Sequence, residues 1–312
     1  MTQGLHVVLG ANGPVGQAVV QSLVSYGVDI RQLGRQAKST SNYVQADLTV
    51  MDQMKVAVFN ASVVYLCAGV PYSAKEWEVQ WPLIIETVIE VLRDTHTKLV
   101  FFDNVYLYGP KPLQPQIKED HARNPSSKKG KIRLALVERL ETEAKQGHLD
   151  VVIARSADFF GPYAKTSLFA DSFIGNMWAD KRPNYLGRTG VPHTFAYVPD
   201  LGKALALLGL NETKPGETYH LPVYTPKTIE EITAEINLIM KKNLKVNVIS
   251  KPTHAMLCLF IPMLRELFEM RYQFDYPYIL DDTKFMTKFP AFQQTSFMEA
   301  LETTIDAMKP KS

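Results

Sequence analysis

Apolar residues in this 312-residue chain fall into short continuous runs, separated by longer segments whose apolar positions lie three and four apart. Continuous runs mark strands buried on both faces, and the wider spacing marks helices with one buried stripe. Runs at 5–9, 28–33, 62–67, 98–103 and 150–154 predict strands, and the stretches near 14–26, 51–59, 76–93 and 130–146 predict helices between them. This alternation implies an α/β fold, a doubly wound parallel sheet with helices on both faces. After about residue 165 the pattern loosens. Lys181 to Tyr185 and Pro192 to Pro199 interrupt helices predicted near 200–209, 228–241 and 255–270. We expect a first domain over 1–165, to which segments near 195–222 return. A smaller C-terminal lobe over 166–312 would supply a substrate pocket above the carboxyl ends of the strands.

The turn after the first run reads Gly10-Ala11-Asn12-Gly13-Pro14-Val15-Gly16, and apolar Val15, Val19, Leu23 and Val24 follow at helical spacing. Glycines at i, i+3 and i+6 between a strand and a helix let the backbone turn tightly. They also let a pyrophosphate approach main-chain N–H groups at the helix start. A dinucleotide site is therefore expected, with Gly10, Asn12, Gly13, Pro14, Val15 and Gly16 lining it. In such sites an acidic residue ending the second strand holds the ribose 2′-OH of NAD, and an Arg accommodates the 2′-phosphate of NADP. Here Gly34 takes the acidic position and Arg35 follows. A guanidinium offers a planar fork to a phosphate, so NADP is the expected cofactor, ahead of NAD.

Charge is nearly balanced, 34 Lys and Arg against 32 Asp and Glu, which points to neither nucleic acid nor an anionic membrane surface. Cys67 and Cys258 read as reduced core residues rather than a disulfide. The first strand begins close to Met1, leaving no room for a signal peptide. Ala255 to Leu264, the most apolar late segment, is broken by Pro262 and too short to span a bilayer. A soluble cytoplasmic protein is expected, with no metal site.

Further motifs extend the pattern: Ala46-Asp47-Leu48, Leu66-Cys67-Ala68-Gly69, Leu107-Tyr108-Gly109-Pro110, Arg155-Ser156-Ala157-Asp158-Phe159-Phe160-Gly161-Pro162, Phe195-Ala196-Tyr197-Val198-Pro199-Asp200 and Asp282-Thr283-Lys284. In this order and spacing they resemble the extended short-chain dehydrogenase/reductase superfamily, in its NAD-dependent epimerase/dehydratase branch. The resemblance covers most of the chain and implies a Rossmann domain, with Asp47, Leu48, Ala68 and Gly69 added to the cofactor site.

The family's chemistry rests on a Ser or Thr, a Tyr and a Lys. Carried onto this chain, those positions hold Asn104, Lys129 and Arg133, and no Tyr-x-x-x-Lys occurs between Gly109 and Gly147. Lys129 and Arg133, at i and i+4, share one face of a helix start. Four cations at a helix N-terminus oppose the macrodipole, so an anion is expected beside them, either cofactor or substrate. The solvated alternative stays open, most of all for Lys128 and Lys131. Arg133 is expected to hold the nicotinamide ribose, since it does not deprotonate. Lys129 becomes an acid/base group if burial or neighbouring cations lower its pKa. Asn104 can orient a carbonyl, Tyr106 is a second candidate acid, and Tyr108 reads as packing.

Sugar-nucleotide members of the family use two arginines to hold a diphosphate. Here the first position is His193, which reads as a surface residue near a proline turn, and the second is Arg271. The loss of one arginine argues against a nucleotide-sugar substrate. Phe268, Met270, Tyr272, Phe274, Tyr276 and Tyr278 read as core or as a partly apolar pocket wall, with the anionic or carbonyl end of a small substrate facing Lys129. The family's helices matching 76–93 and 130–146 imply a homodimer. Their apolar Leu83, Ile84, Val88, Leu136, Val137 and Leu140 serve equally to face the sheet. Two functions stay open. One is an NAD(P)-dependent oxidoreductase or epimerase-like enzyme acting on a small carbonyl or alcohol with a non-standard acid/base group. The other is a catalytically inactive NADP-binding sensor or regulatory protein.

Overall fold

The structure, a computed structural model, describes residues 4–36, 42–165 and 167–310. Its first half runs through β1 (Leu5–Leu9), α1 (Pro14–Ser25), β2 (Asp29–Gly34), β3 (Tyr43–Gln45), α2 (Met51–Val58), β4 (Ala61–Leu66), α3 (Ala74–Leu92), β5 (Lys98–Asn104), α4 (Lys128–Lys145), β6 (Asp150–Ser156) and β7 (Asp158–Phe160). The second half adds α5 (Asn176–Trp178), β8 (Asn184–Tyr185), β9 (Phe195–Tyr197), α6 (Val198–Leu210), β10 (Glu217–His220), α7 (Ile229–Met240), β11 (Asn247–Val248), α8 (Lys251–Leu257), α9 (Pro262–Phe268), α10 (Tyr272–Asp275), α11 (Thr283–Lys288) and α12 (Phe297–Ala307). The five predicted strands form, the first with its ends unchanged and the others with an end moved by one or two residues. The helix predicted near 255–270 divides into α8 and α9 at Pro262, whose ring and missing N–H cannot continue a preceding helix.

Seven strands make one sheet in the order β10-β6-β5-β4-β1-β2-β3, and every neighbouring pair is parallel. The chain builds outward from β1 to β3, then returns to β4 on the other side of β1. That reversal leaves a crevice outside the carboxyl ends of β1 and β4, where open α/β sheets bind ligands.

Both sheet faces are buried, which is why the strands read as unbroken apolar runs. In β4, Val63 and Tyr65 pack with Val19, Leu23, Leu201 and Leu205 of α1 and α6. Val64 and Leu66 point the other way, toward Met54, Ile85, Val88, Ile89, Val137 and Leu140 of α2, α3 and α4. Each such side chain contributes about 1.5–3 kcal/mol by leaving water. The helices offered for a dimer therefore spend Ile84, Val88, Leu136, Val137 and Leu140 within the chain, while Leu83 is exposed. A third apolar cluster joins Phe160, Phe169, Phe173, Phe195, Ile232, Ile236, Leu301 and Ile305. It organises the elements beyond the sheet, α7 and α12 among them.

Both cysteines are free; Cys67 is buried in the core and Cys258 is half-buried. Among the described residues no helix is long and apolar enough to cross a membrane.

Candidate functional site

The β1–α1 turn has the shape a dinucleotide needs. Gly10 has φ +82°, and a Cβ there would lie 2.6 Å from the Ala68 Cα, so the turn passes hard against the end of β4. A Cβ on Gly13 would meet only the Gly10 carbonyl oxygen at 3.4 Å and one further backbone oxygen at 4.0 Å, and one on Gly69 would meet nothing within 4 Å. Space is thus kept open in front of α1. Gly13 is the N-cap of α1 and supplies no side-chain acceptor, which leaves the first-turn N–H groups for an anion. Val15 and Gly16 are buried, and Asn12 and Pro14 half-buried. These residues fit a bound dinucleotide.

At the adenosine end the fit is of a different kind. Asn12 Nδ2 donates to the Tyr43 hydroxyl (2.7 Å). A Cβ on Gly34 would fall 2.3 Å from that hydroxyl and 2.6 Å from Asn12 Nδ2. The Asn12–Tyr43 pair thus occupies the place of an acidic side chain at the end of β2. Arg35 is exposed. Asp47 accepts from the Thr49 N–H (2.9 Å) and hydroxyl (2.7 Å), which holds its carboxyl below the usual range. Leu48 is half-buried beside it.

The start of α4 is set by Ser127, whose hydroxyl accepts from Gly130 N at 3.0 Å. A Cβ on Gly130 would lie 2.3 Å from the Tyr106 carbonyl oxygen, so glycine lets the helix start rest on the loop after β5. This seats Lys129 and Arg133 on the inner face and leaves Lys128 and Lys131 exposed. The anions that sequence reasoning expected beside the cations are the protein's own. Lys129, fully buried, is held by the Glu266 carboxylate, by Glu269 Oε1 (2.8 Å) and by the Glu266 carbonyl (3.2 Å). Its Nζ lies 4.7 Å from the centre of the Tyr72 ring. The same carboxylates cap two helices: Glu266 accepts from Ala74 N (3.0 Å) at the start of α3, and Glu269 from Lys128 N (3.1 Å) at the start of α4. Burial pushes the Glu266 carboxyl up, but Lys129 and the Ala74 N–H more than reverse this and leave it lowered.

Arg133 turns to Asp103, with Nε 2.8 Å from Oδ1 and Nη2 on the same oxygen. Its guanidinium lies 4.5 Å from the Trp81 ring centre and 5.0 Å from that of Phe101. Asp103 Oδ2 accepts from Arg155 Nε at 3.1 Å. Arg155 Nη1 donates to the Tyr108 hydroxyl (2.9 Å), which pairs with His220 Nε2 (2.6 Å), while His220 Nδ1 meets the Asp281 carbonyl (2.9 Å). Burial pushes His220 down to about 3. The neutral ring therefore donates from Nδ1 to Asp281 and accepts at Nε2 from Tyr108. Asp103, Arg133, Arg155, Tyr108 and His220 are all nearly or fully buried: the network is part of the core.

Asn104 and Tyr106 are half-buried. Asn104 Oδ1 accepts from Tyr106 N at 3.0 Å, and the Tyr106 hydroxyl lies 3.3 Å from that of Tyr72. Burial raises the Tyr106 phenol well above its usual range, and the charge of Asp158 adds to the effect.

His193 corrects the surface reading. It is 2% exposed, with Nε2 3.0 Å from Asp158 Oδ2 and Nδ1 3.3 Å from the Gln273 carbonyl. Its ring lies between Phe274 (5.1 Å) and Tyr278 (5.2 Å), each inclined by 17°. Of the aromatic stretch, Met270, Tyr272 and Tyr278 join the core and Tyr276 is exposed. A cleft of about 570 Å³ lies next to it, lined by Arg188, Lys251 and Arg271 with Asp275, Ser250 and Tyr276. Arg271 is braced by Asp275 (3.2 Å) and by the Ile249 carbonyl (3.0 Å).

Sequence reasoning passed over Asp103, Asp158, Glu266 and Glu269. Asp103 had a signal, a carboxylate ending the apolar run Leu99 to Phe102. Glu266 and Glu269 lie more than a hundred residues from Lys129, and only the unbalanced cations at α4 hinted at them.

A family model, NAD dependent epimerase/dehydratase family, matches residues 6–221. No curated protein matches the sequence. Solved structures share the fold over nearly the whole length. UDP-glucuronic acid 4-epimerase from Bacillus cereus in complex with NAD is 18% identical, with a TM-score of 0.80 and coverage of 98% of each chain. UDP-glucose 4-epimerase from Thermus thermophilus in complex with NAD is 17% identical at a TM-score of 0.75, covering 98% of this chain and 99% of its own. WbmH from Bordetella bronchiseptica in complex with NAD+ is 17% identical at 0.76, covering 99% of each. All three hold NAD, which overturns the expectation of NADP drawn from Arg35. That arginine is exposed.

Proposed function

The chain belongs to the NAD dependent epimerase/dehydratase family, and we propose that it is an NAD-dependent oxidoreductase or epimerase acting on the sugar end of a nucleotide-linked sugar. This replaces the small carbonyl or alcohol expected from the sequence. Two observations support it: the open glycine turn before α1 and the cationic cleft of Arg188, Lys251 and Arg271 beside the late aromatic stretch. His193, whose identity argued against a diphosphate, is spent on Asp158, so its loss as a cation is made up by the arginines and lysine of the cleft.

NAD, when bound, supplies hydride chemistry; Gly10, Asn12, Gly13, Pro14, Val15 and Gly16 would hold its pyrophosphate, and Asp47, Leu48, Ala68 and Gly69 its flanks. Tyr106, whose proton is tightly held, donates a hydrogen bond to the reacting oxygen, and Asn104 fixes the loop that carries it. Lys129 acts through the Tyr72 ring as a positioning residue, and Arg133 through Asp103. The engagement of both cations by carboxylates also favours a second reading, an NAD-bound sensor without turnover. Incubating the protein with NAD and UDP-glucose separates the two: reduced nicotinamide or an epimerised sugar supports the enzyme, and tight binding without product supports the sensor. Failure to bind NAD refutes both readings, and failure to bind UDP refutes the nucleotide-linked sugar. A homodimer through α3 and α4 stays a proposal, resting on exposed Val79 and Leu83 and testable by elution volume.

A further inference from the structure

We infer that the hairpin of α8 and α9 docks this protein on a membrane surface bearing anionic headgroups, with its apolar tip entering the bilayer interface. Ala255 to Leu264, the most apolar late segment of the sequence, spans the turn between the two helices. Met256, Leu259, Phe260, Ile261 and Met263 are all exposed there, Leu259 at 73% and Phe260 at 77%, and no residue of α9 is buried. Scattered exposed apolar residues are ordinary, but a run of them within one turn marks an interaction surface. The hairpin is built to hold this tip outward. His254, fully buried, donates from Nε2 to the Leu264 carbonyl (2.9 Å) and accepts at Nδ1 from Arg271 Nη1 (3.3 Å). Arg265 Nη2 donates to the Cys258 carbonyl (3.1 Å) and closes the turn. At the base, Glu266 is fixed by Lys129 and Ala74 N, and Glu269 by Lys129 and Lys128 N.

Charge identifies what the tip meets. Between Glu235 and Glu266 the chain carries Lys241, Lys242, Lys245, Lys251 and Arg265 and no carboxylate, although charge over the whole sequence is nearly balanced. Lys242 pairs with Asp180, and Lys251 lines the cleft. Lys241, Lys245 and Arg265 are exposed, and the distance to Cys258 places Arg265 beside the tip. Glu266 and Glu269, the first acids beyond it, are drawn to Lys129. An apolar tip in a cationic segment matches the interfacial layer of a bilayer. Apolar side chains reach the acyl boundary there, while Lys and Arg meet anionic headgroups. Each signal alone gives weak, reversible binding, and the two together give stable docking. A second copy of the chain is a poorer fit. A stable protein interface takes roughly 20–30 residues a side, whereas the tip offers a few apolar side chains projecting from a turn.

The test is co-sedimentation of the full chain with vesicles of phosphatidylcholine alone, and of phosphatidylcholine and phosphatidylglycerol in equal parts. It is repeated with the double variant Leu259→Ser, Phe260→Ser and with Arg265→Gln. All three side chains are exposed, so the melting temperatures of both variants should match the wild type. The wild type is expected to partition onto the mixed vesicles about tenfold or more above phosphatidylcholine alone, and to be released as salt is raised. The double variant should lower partitioning onto the mixed vesicles about tenfold or more, and Arg265→Gln about threefold to fivefold. Absence of wild-type binding to the mixed vesicles, equal binding to both kinds, or unchanged binding by the double variant overturns the inference. A wild-type elution volume that falls with protein concentration, and is restored by the double variant, assigns the tip to a second copy and overturns it as well.

Discussion

Replacing Lys129 by Met keeps the length and most of the volume of the side chain and removes its charge. Two carboxylates then face one another across the place where an ammonium stood. Breaking a buried ion pair costs about 3–5 kcal/mol. Here Glu266 and Glu269 are each 24% exposed and keep their bonds from Ala74 N and Lys128 N. Partial solvation brings the loss to the bottom of that range or just below it, about 2–3 kcal/mol, which corresponds to a fall in melting temperature of roughly 4–8 °C for a chain of this size. The measurement is urea unfolding of both proteins across pH. The folded-state pKa of Glu266 is depressed, so its contribution is complete above its ordinary value near 4.5 and fades as pH falls through the folded value. The difference between wild type and Lys129→Met should therefore be full at neutral pH and shrink below about pH 4.5. Equal stability at neutral pH would show that the carboxylates do not need Lys129. A difference that persists in acid would assign the loss to packing instead of charge.

Three further outcomes follow from the same geometry. NAD should bind more tightly than NADP, and Arg35→Ala should change NAD affinity less than about twofold, since an exposed side chain contributes little; equilibrium titration with both cofactors measures this. Asp103→Asn leaves Arg133 and Arg155 without a counter-charge at 2% and 0% exposure, and should cost about 3–5 kcal/mol in urea unfolding, more than Lys129→Met. His220, ordinarily near 6.5, is depressed to about 3 by burial. The unfolded chain therefore binds its proton first, and as pH falls between those values stability drops by about 1.4 kcal/mol per unit. His220→Gln should flatten that part of the profile.

Most of the sheet could be read before the structure was in hand. A strand buried on both faces is apolar along its middle, as β1, β4 and the central residues 99–102 of β5 and 151–154 of β6 nearly are. Elements whose burial is partial left weaker traces. β3 is three half-exposed or exposed residues, and α12 offers a stripe of Ala300, Leu301, Thr304 and Ile305 among polar neighbours. The glycine turn was legible because the glycines that permit it are neighbours in sequence: the positive φ at Gly10 and the bare N-cap at Gly13 lie within one turn of chain, although Gly10 also passes against Ala68. Burial of Lys129 and Arg133 was half legible, since their i and i+4 spacing put them on one face. Their destination was not.

Local pattern thus specified the parallel sheet, the phosphate-binding turn, and the shared face of the two cations, because each depends on neighbours within a few residues. Charge partnership is different. An ammonium is recruited to a ligand or neutralised by a carboxylate according to which groups the fold brings within about 4 Å, and that choice spans the whole chain. Asp103 reaches Arg133 across 30 residues, Glu266 reaches Lys129 across 137, and Asp158 reaches His193 across 35. Those closures moved the positive charge away from the place the motifs assigned it, onto carboxylates of the protein's own.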